Sequence, residues 1–187
     1  MLLSRNQILI ARYEIRRIEL NMYEMRKINI TKDSDKLFEL VSVAGEVILP
    51  GQTKFLNAYE FQSWLLEKMN GFFCELHVIQ ENSETKELIG YALIYDYRVY
   101  DRHCSLCIYS TRNIEPNLWA SFIDELFKEY PLNKVFWKVA SSNIRYLELA
   151  KELGFSEEMV LKEYIYQGGR YLDVCVLGKS RKPLEED

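Results

Sequence analysis

Between Thr31 and Ala44 the apolar positions Leu37, Leu40, Val41 and Ala44 recur at intervals of three and four, which predicts a helix over 32–44. Thr31-Lys32-Asp33-Ser34 supplies N-cap candidates before it, and Gly45 ends it. A connector with Pro50 and Gly51 follows, and Asn57 and Glu60 then stand at capping-box spacing. Phe61, Trp64, Leu65 and Met69 behind them predict a second helix over 58–69. From Phe72 the pattern becomes that of strands, over 72–80, 87–96 (with Gly90 inside) and 104–110, with polar turns at 81–84 and 101–103. Pro116 fits a first helical position, and Phe122, Ile123, Leu126, Phe127 and Tyr130 form the apolar stripe of a helix that Pro131 ends. Lys134–Ala140 reads as a buried strand. Ser142-Asn143 caps a short helix with Leu147, Ala150 and Leu153 inward and Gly154 at its end. Segments 163–167 and 171–177 flank Gly168-Gly169, a dipeptide suited to a tight hairpin. Upstream, Ile8–Ile10 and the nearly alternating Met25–Ile30 are strand-like, while the first twenty residues are open to a hairpin, a helix or an arm.

This order predicts a single α/β domain with one mixed, mostly antiparallel sheet flanked by about four helices. The 187 residues suffice for one domain of about 150 with an extension. The division is an N-terminal extension over 1–21, the domain over 22–179 and a charged, frayed tail over 180–187.

Composition narrows the classes. The chain is 48% hydrophobic and 28% charged, as soluble globular proteins are. Its net charge of −4 speaks against nucleic acid as a partner, because phosphate binding needs a concentrated basic surface. Arg5, Arg12, Glu14, Arg16 and Arg17 interrupt the apolar start, so a signal peptide is not expected there, and no run approaches the roughly 18 apolar residues of a membrane span. A cytoplasmic protein is expected. Cys74, Cys104, Cys107 and Cys175 lie in or beside apolar runs. Cys104 and Cys107 point to opposite faces of one strand, so reduced, buried thiols are expected and no metal site.

The stretch Pro131-Leu-Asn-Lys-Val-Phe-Trp-Lys-Val-Ala-Ser-Ser-Asn143, followed by Leu149-Ala-Lys-Glu-Leu-Gly-Phe155, resembles the GNAT acetyltransferases. The nearest branch is the one that acetylates ribosomal-protein N-termini. Phe155 through Asp173 is similar to that branch's closing hairpin, and the likeness spans about 25–178. The resemblance implies an acetyl-CoA or other acyl-CoA cosubstrate. Its pantetheine arm would lie along strand backbone at Ile108, Tyr109 and Ser110, and its pyrophosphate at the start of the following helix. It implies cofactor contacts from Ser110, Arg112, Asn117, Ala120 and Asn143, the last with helix capping as its alternative.

The family loop reads R/Q-x-x-G-x-G/A. Laid on this chain without a gap, its basic-or-amide position holds Glu115, its first glycine Pro116 and the next Leu118, and only Ala120 remains compatible. Proline removes an N–H, leucine adds bulk where a phosphate approaches, and the carboxylate repels it. Arg112 is positioned to offset that charge. The family's acid, a tyrosine four residues before the glycine of the LGF turn, is here Ala150, with Tyr146 one turn earlier as a substitute acid or a core residue. Where some members carry a base there is Lys138. Glu75 is the candidate base, with His77, Asp96 and His103 as alternatives. Tyr91, Tyr95 and Tyr97 share one face by alternation, lining an acceptor cleft or packing across strands.

The expected activity is transfer of an acyl group from acyl-CoA to a primary amine of a small molecule or a peptide N-terminus. The alternatives are a GNAT-like binding module that has lost acetyl-CoA, and a transferase using an acyl carrier protein or aminoacyl-tRNA. A homodimer through the terminal hairpin is a further expectation.

Overall fold

A computed structural model describes residues 18–20, 22–44, 55–70 and 75–181. The reading of the first seventeen residues, the Pro50-Gly51 connector, the beginning of the strand at Phe72, Cys74 and the tail beyond Arg181 lie outside them.

Strands β1 (Ile18–Leu20) and β2 (Tyr23–Lys27) form a hairpin at one sheet edge, and helices α1 (Ile30–Val43) and α2 (Ala58–Asn70) follow. Three antiparallel strands come next: β3 (Glu75–Glu81), β4 (Leu88–Arg98) and β5 (His103–Ser110). Then come α3 (Pro116–Glu129), β6 (Lys134–Ala140), α4 (Ile144–Glu152), β7 (Ser156–Gln167) and β8 (Arg170–Ser180). The eight-stranded sheet runs β1-β2-β3-β4-β5-β6-β8-β7, so the last strand inserts between β6 and β7. β5 and β6 are the one parallel pair among the described residues.

Amphipathic stripes explain the layering. Leu37, Leu40, Phe61 and Leu65 of α1 and α2 cover Leu76, Val78, Tyr91, Leu93 and Cys107 on one face. Leu118, Phe122, Leu126, Tyr146 and Ala150 of α3 and α4 cover Ile79, Ala92, Leu106, Ile108 and Trp137 on the other. Cys104 belongs to the second layer and Cys107 to the first, on opposite faces as the alternation requires. Gly90 is obligatory in its strand, because an added Cβ would stand 2.5 Å from the Tyr109 carbonyl oxygen.

Several local readings change, and the strand read over 163–167 already begins at Ser156. The strand near Met25 stops at Lys27, and α1 starts two residues earlier than its spacing suggested. Asn29 is the cap: its side chain accepts from Lys32 N–H at 3.3 Å, while the Asp33 carboxylate accepts from Asn29 N–H at 2.7 Å. Asp33 also receives both terminal nitrogens of Arg26, which fixes the corner between β2 and α1. Tyr97 does not share a face with Tyr91 and Tyr95. Asp96 adopts a positive φ of 52° at a break in the β4–β5 register, and this bulge turns Tyr97 toward Tyr130 on the α3 side. Finally, the end of β8 is anchored. Lys179 donates to the Leu153 carbonyl at the end of α4, at 2.7 Å. The Arg181 guanidinium donates to the carbonyls of Phe127, Tyr130 and Leu132 at the end of α3. Lys179 of β8 and Arg181 just after it thus satisfy carbonyls at and just past the ends of two helices.

Candidate functional site

The sheet opens where its parallel pair ends. β5 and β6 pair from His103↔Lys134 to Leu106↔Trp137 and then part. Beyond that point β5 stays bonded to β4 as far as Ser110, and β6 stays bonded to β8 as far as Ala140. Each wall of the gap is therefore held from behind while its inner edge is unpaired. Ser110 turns its N–H and C=O into the gap, and the alternation of a strand puts those of Ile108 on the same edge. α3 and α4 begin at the carboxyl ends of these two strands, so two positive helix ends converge on the mouth.

The two helices begin differently. Asn143 caps α4, its side chain accepting from Tyr146 N–H at 3.3 Å, so of its two readings the capping one describes its hydrogen bond. Glu115 occupies the cap position of α3 without a side-chain cap bond, and Pro116 fills the first turn. Asn117 is exposed beside it, and Ala120 packs partly against the core. Leu118 contradicts its reading as bulk in the path of a phosphate. It is 1% exposed and belongs to the stripe Leu118, Phe122, Leu126, turned away from the mouth. Arg112 is also not where expected. Its guanidinium pairs with Glu81 and Glu87 at the β3–β4 turn and does not offset Glu115.

Tyr146 stands at the gap. Its hydroxyl accepts from Ser110 N–H at 2.9 Å, and its ring packs near Trp137. Burial pushes its pKa up, although the Ser110 bond and Arg145 pull the other way, so the hydroxyl remains protonated across neutral pH. Arg145, which the sequence reading passed over, donates to Ser110 C=O at 3.3 Å, to Ser110 Oγ at 3.2 Å and to the Arg112 carbonyl. A signal was present: it is a cation in the first turn after the Asn143 cap, next to a tyrosine already singled out.

Glu75 does not join this group. It pairs with Ile94, which pairs with Leu106, so it lies two strands or roughly 10 Å from β5. Its carboxylate bonds His77 at 3.2 Å, lies 3.8 Å from Lys27 and also receives the Tyr130 hydroxyl. Burial would raise its pKa, but the His77 and Tyr130 bonds win and hold it below the usual carboxylate range, which makes it a poor proton acceptor. His77 is fully buried against Phe122, and Asp96 and His103 sit at the far end of β4 and β5, away from Ser110. Lys138 lies over the Tyr164 ring at 5.6 Å. On the α1–α2 face, Tyr91 is buried with its hydroxyl unpartnered among the described residues, 5.6 Å from the Tyr109 ring.

Elsewhere, an open groove of about 1050 Å³ lies between α1 and the β3–β4 turn, floored by Glu24, Gln80, Arg26 and Asp33. Those four groups satisfy one another. Among the described residues no group of three or more His, Cys, Asp or Glu could hold a metal ion, and no helix is long and apolar enough to cross a membrane.

An unpaired strand edge between two held walls fits an extended pantetheine arm. The phosphate end fits only in part, since Pro116 has no N–H and Glu115 is anionic. Solved structures share the fold. Ribosomal-protein-S5-alanine acetyltransferase from Vibrio fischeri superposes with a TM-score of 0.75 at 16% identity, covering 92% of this chain and 100% of that one. Spermidine N-acetyltransferase from Vibrio cholerae, in complex with CoA and spermine, superposes with a TM-score of 0.73 at 18% identity, covering 86% and 96%. No curated protein matches the sequence closely enough to count as a relative. A family model described as acetyltransferase (GNAT) domain matches residues 15–176. With that match spanning most of its length, the chain belongs to the GNAT family of N-acetyltransferases.

Proposed function

We propose that this protein transfers an acyl group from acyl-CoA to a primary amine of a small molecule or of a peptide N-terminus. The observation that carries the reading is the gap between β5 and β6, whose inner edges no neighbouring strand pairs and whose mouth holds two helix N-termini. Acyl-CoA supplies an activated thioester carbonyl. The strand edge at Ile108 and Ser110 orients its arm through backbone hydrogen bonds, whereas the Tyr109 carbonyl faces Gly90 of β4. The Tyr146 hydroxyl, protonated at neutral pH, is placed to give a proton to the departing thiolate. No carboxylate among the site candidates reaches the gap, so the amine loses its proton to water. The fold-sharing proteins named above are a spermidine N-acetyltransferase and a ribosomal-protein-S5-alanine acetyltransferase, which supports an amine as the acceptor.

A second reading, a binding module that has given up acyl-CoA, is favoured by Pro116, by Glu115 and by the occupation of Ser110 N–H by Tyr146. Calorimetric titration with acetyl-CoA and CoA separates the two. A micromolar dissociation constant, followed by CoA release in the presence of spermidine or an alanine-initiated peptide, supports the enzyme. Silence at millimolar CoA sinks it. We place the activity in the cytoplasm, where Cys104, Cys107 and Cys175 stay reduced. Self-association would use β7, a sheet-edge strand that exposes Tyr164 and Tyr166, with Tyr171 of β8 beside Tyr166.

A further inference from the structure

The mouth of the gap is short of the groups that usually hold a diphosphate. Pro116 has no N–H to offer, and the Leu118 N–H is bonded to the Glu115 carbonyl at 3.2 Å. Glu115 itself is exposed and adds negative charge. The loop's own cation, Arg112, is committed to Glu81 and Glu87 on the outer side of β4.

Arg145 is placed differently. It is exposed, it rests over the Tyr146 ring with its guanidinium carbon 5.4 Å from the centroid, and it reaches back across the mouth to the end of β5. Its acceptors are the carbonyls of Ser110 and Arg112 and the Ser110 hydroxyl, all of them neutral. Its charge is therefore unneutralised by any recorded ion pair among the described residues, and it stands where the two helix ends already favour an anion. A guanidinium presents donors in a planar fork that matches phosphate oxygens two at a time. Exchanging neutral carbonyls for a diphosphate is thus favourable for a side chain with room to pivot.

We propose that Arg145 is the residue that anchors the diphosphate of the acyl donor, one guanidinium standing in for the glycine-lined cradle of backbone amides. The inference rests on the acyl-CoA reading above and deepens it. The donor is selected by its diphosphate, so a carrier offering pantetheine alone binds without the help of Arg145. A residue that merely held the β5–α3 loop in shape would matter equally to both.

The test compares CoA with pantetheine by calorimetry on the wild type, R145A and R145K. Losing a charge-assisted bidentate contact predicts CoA binding weaker by roughly 10- to 100-fold in R145A, with pantetheine changed by less than about twofold. R145K, a point charge without the fork, falls between. Unchanged pantetheine binding also reports that the gap of R145A is intact. If R145A weakens both ligands alike, Arg145 positions the loop and the proposal is overturned. If the wild type binds CoA and R145A binds it equally well, this inference falls while the acyl-CoA reading stands. If the wild type binds neither, both fall together.

Discussion

The Tyr146 hydroxyl accepts the Ser110 amide hydrogen at 2.9 Å, so a side chain of α4 occupies a backbone donor that β5 turns into the gap. Y146F removes that acceptor and leaves a buried N–H unpaired, at a cost of about 1–3 kcal/mol. Chemical denaturation should show a lower midpoint with an unchanged slope. If Tyr146 also protonates the leaving thiolate, kcat falls by roughly 10²-fold with the donor KM little altered. A variant that is destabilised but has full kcat would leave Tyr146 a structural latch.

On the acyl-CoA reading, Glu115 confronts the donor phosphates with like charge. At a separation of about 4 Å in water-like surroundings the repulsion is about 1 kcal/mol, so E115Q should bind CoA roughly fivefold more tightly, and the gain should shrink as salt rises. Equal affinities at low salt would remove Glu115 from the site. Replacing Leu118 by glycine is predicted to fail as a repair, because that side chain fills core space and its loss costs about 2–5 kcal/mol.

Asp33 makes the corner between β2 and α1 sensitive to acid. Burial alone would raise its pKa, but the Arg26 bond and the Asn29 N–H outweigh burial and hold it below the ordinary value. A carboxyl depressed in the folded state stabilises the fold above its unfolded pKa of about 3.9, and that contribution is lost as pH falls through the folded value. Thermal stability of the wild type should therefore drop below about pH 4, and D33N should be less stable at pH 7 with a flatter acid limb. An acid limb identical in the two proteins would assign the acid sensitivity to other groups.

Lys179 and Arg181 predict a pair of separable losses. Each removes hydrogen bonds from helix-end carbonyls, so K179A and R181A should each cost about 1–2 kcal/mol. Because they serve different helices, the double variant should lose the sum. Hydrogen exchange should place the K179A effect at the end of α4 and the R181A effect at the end of α3.

What the sequence disclosed was the locally determined part. Lys134–Ala140 is a strand to the residue, Pro116 opens its helix and Asn143 caps the next, because each depends on neighbours within one turn. The bulge at Asp96 was hidden, since a positive φ at a non-glycine residue leaves no mark in an alternating pattern, and it moved Tyr97 to the other face. Leu118 was legible, because 118, 122 and 126 form a helical stripe, yet alignment to a glycine position obscured it. Glu75 could not be separated from the gap without the strand registers, which are set by tertiary pairing. The roles of Lys179 and Arg181 depend on two helices elsewhere in the sheet's second layer, and a charged chain end gives no hint of them.

The insertion of β8 between β6 and β7 carries a consequence for how the protein is made. While the chain is being synthesised, β6 has only the short parallel pairing to β5, and its wall of the gap has no support behind it. That support arrives with residues 170–181, which leave the ribosome after every other described element and bring the helix-capping cations with them. A nascent chain stopped before Arg170 would lack the strand that backs β6 and would leave an unpaired apolar edge at the wall of the gap.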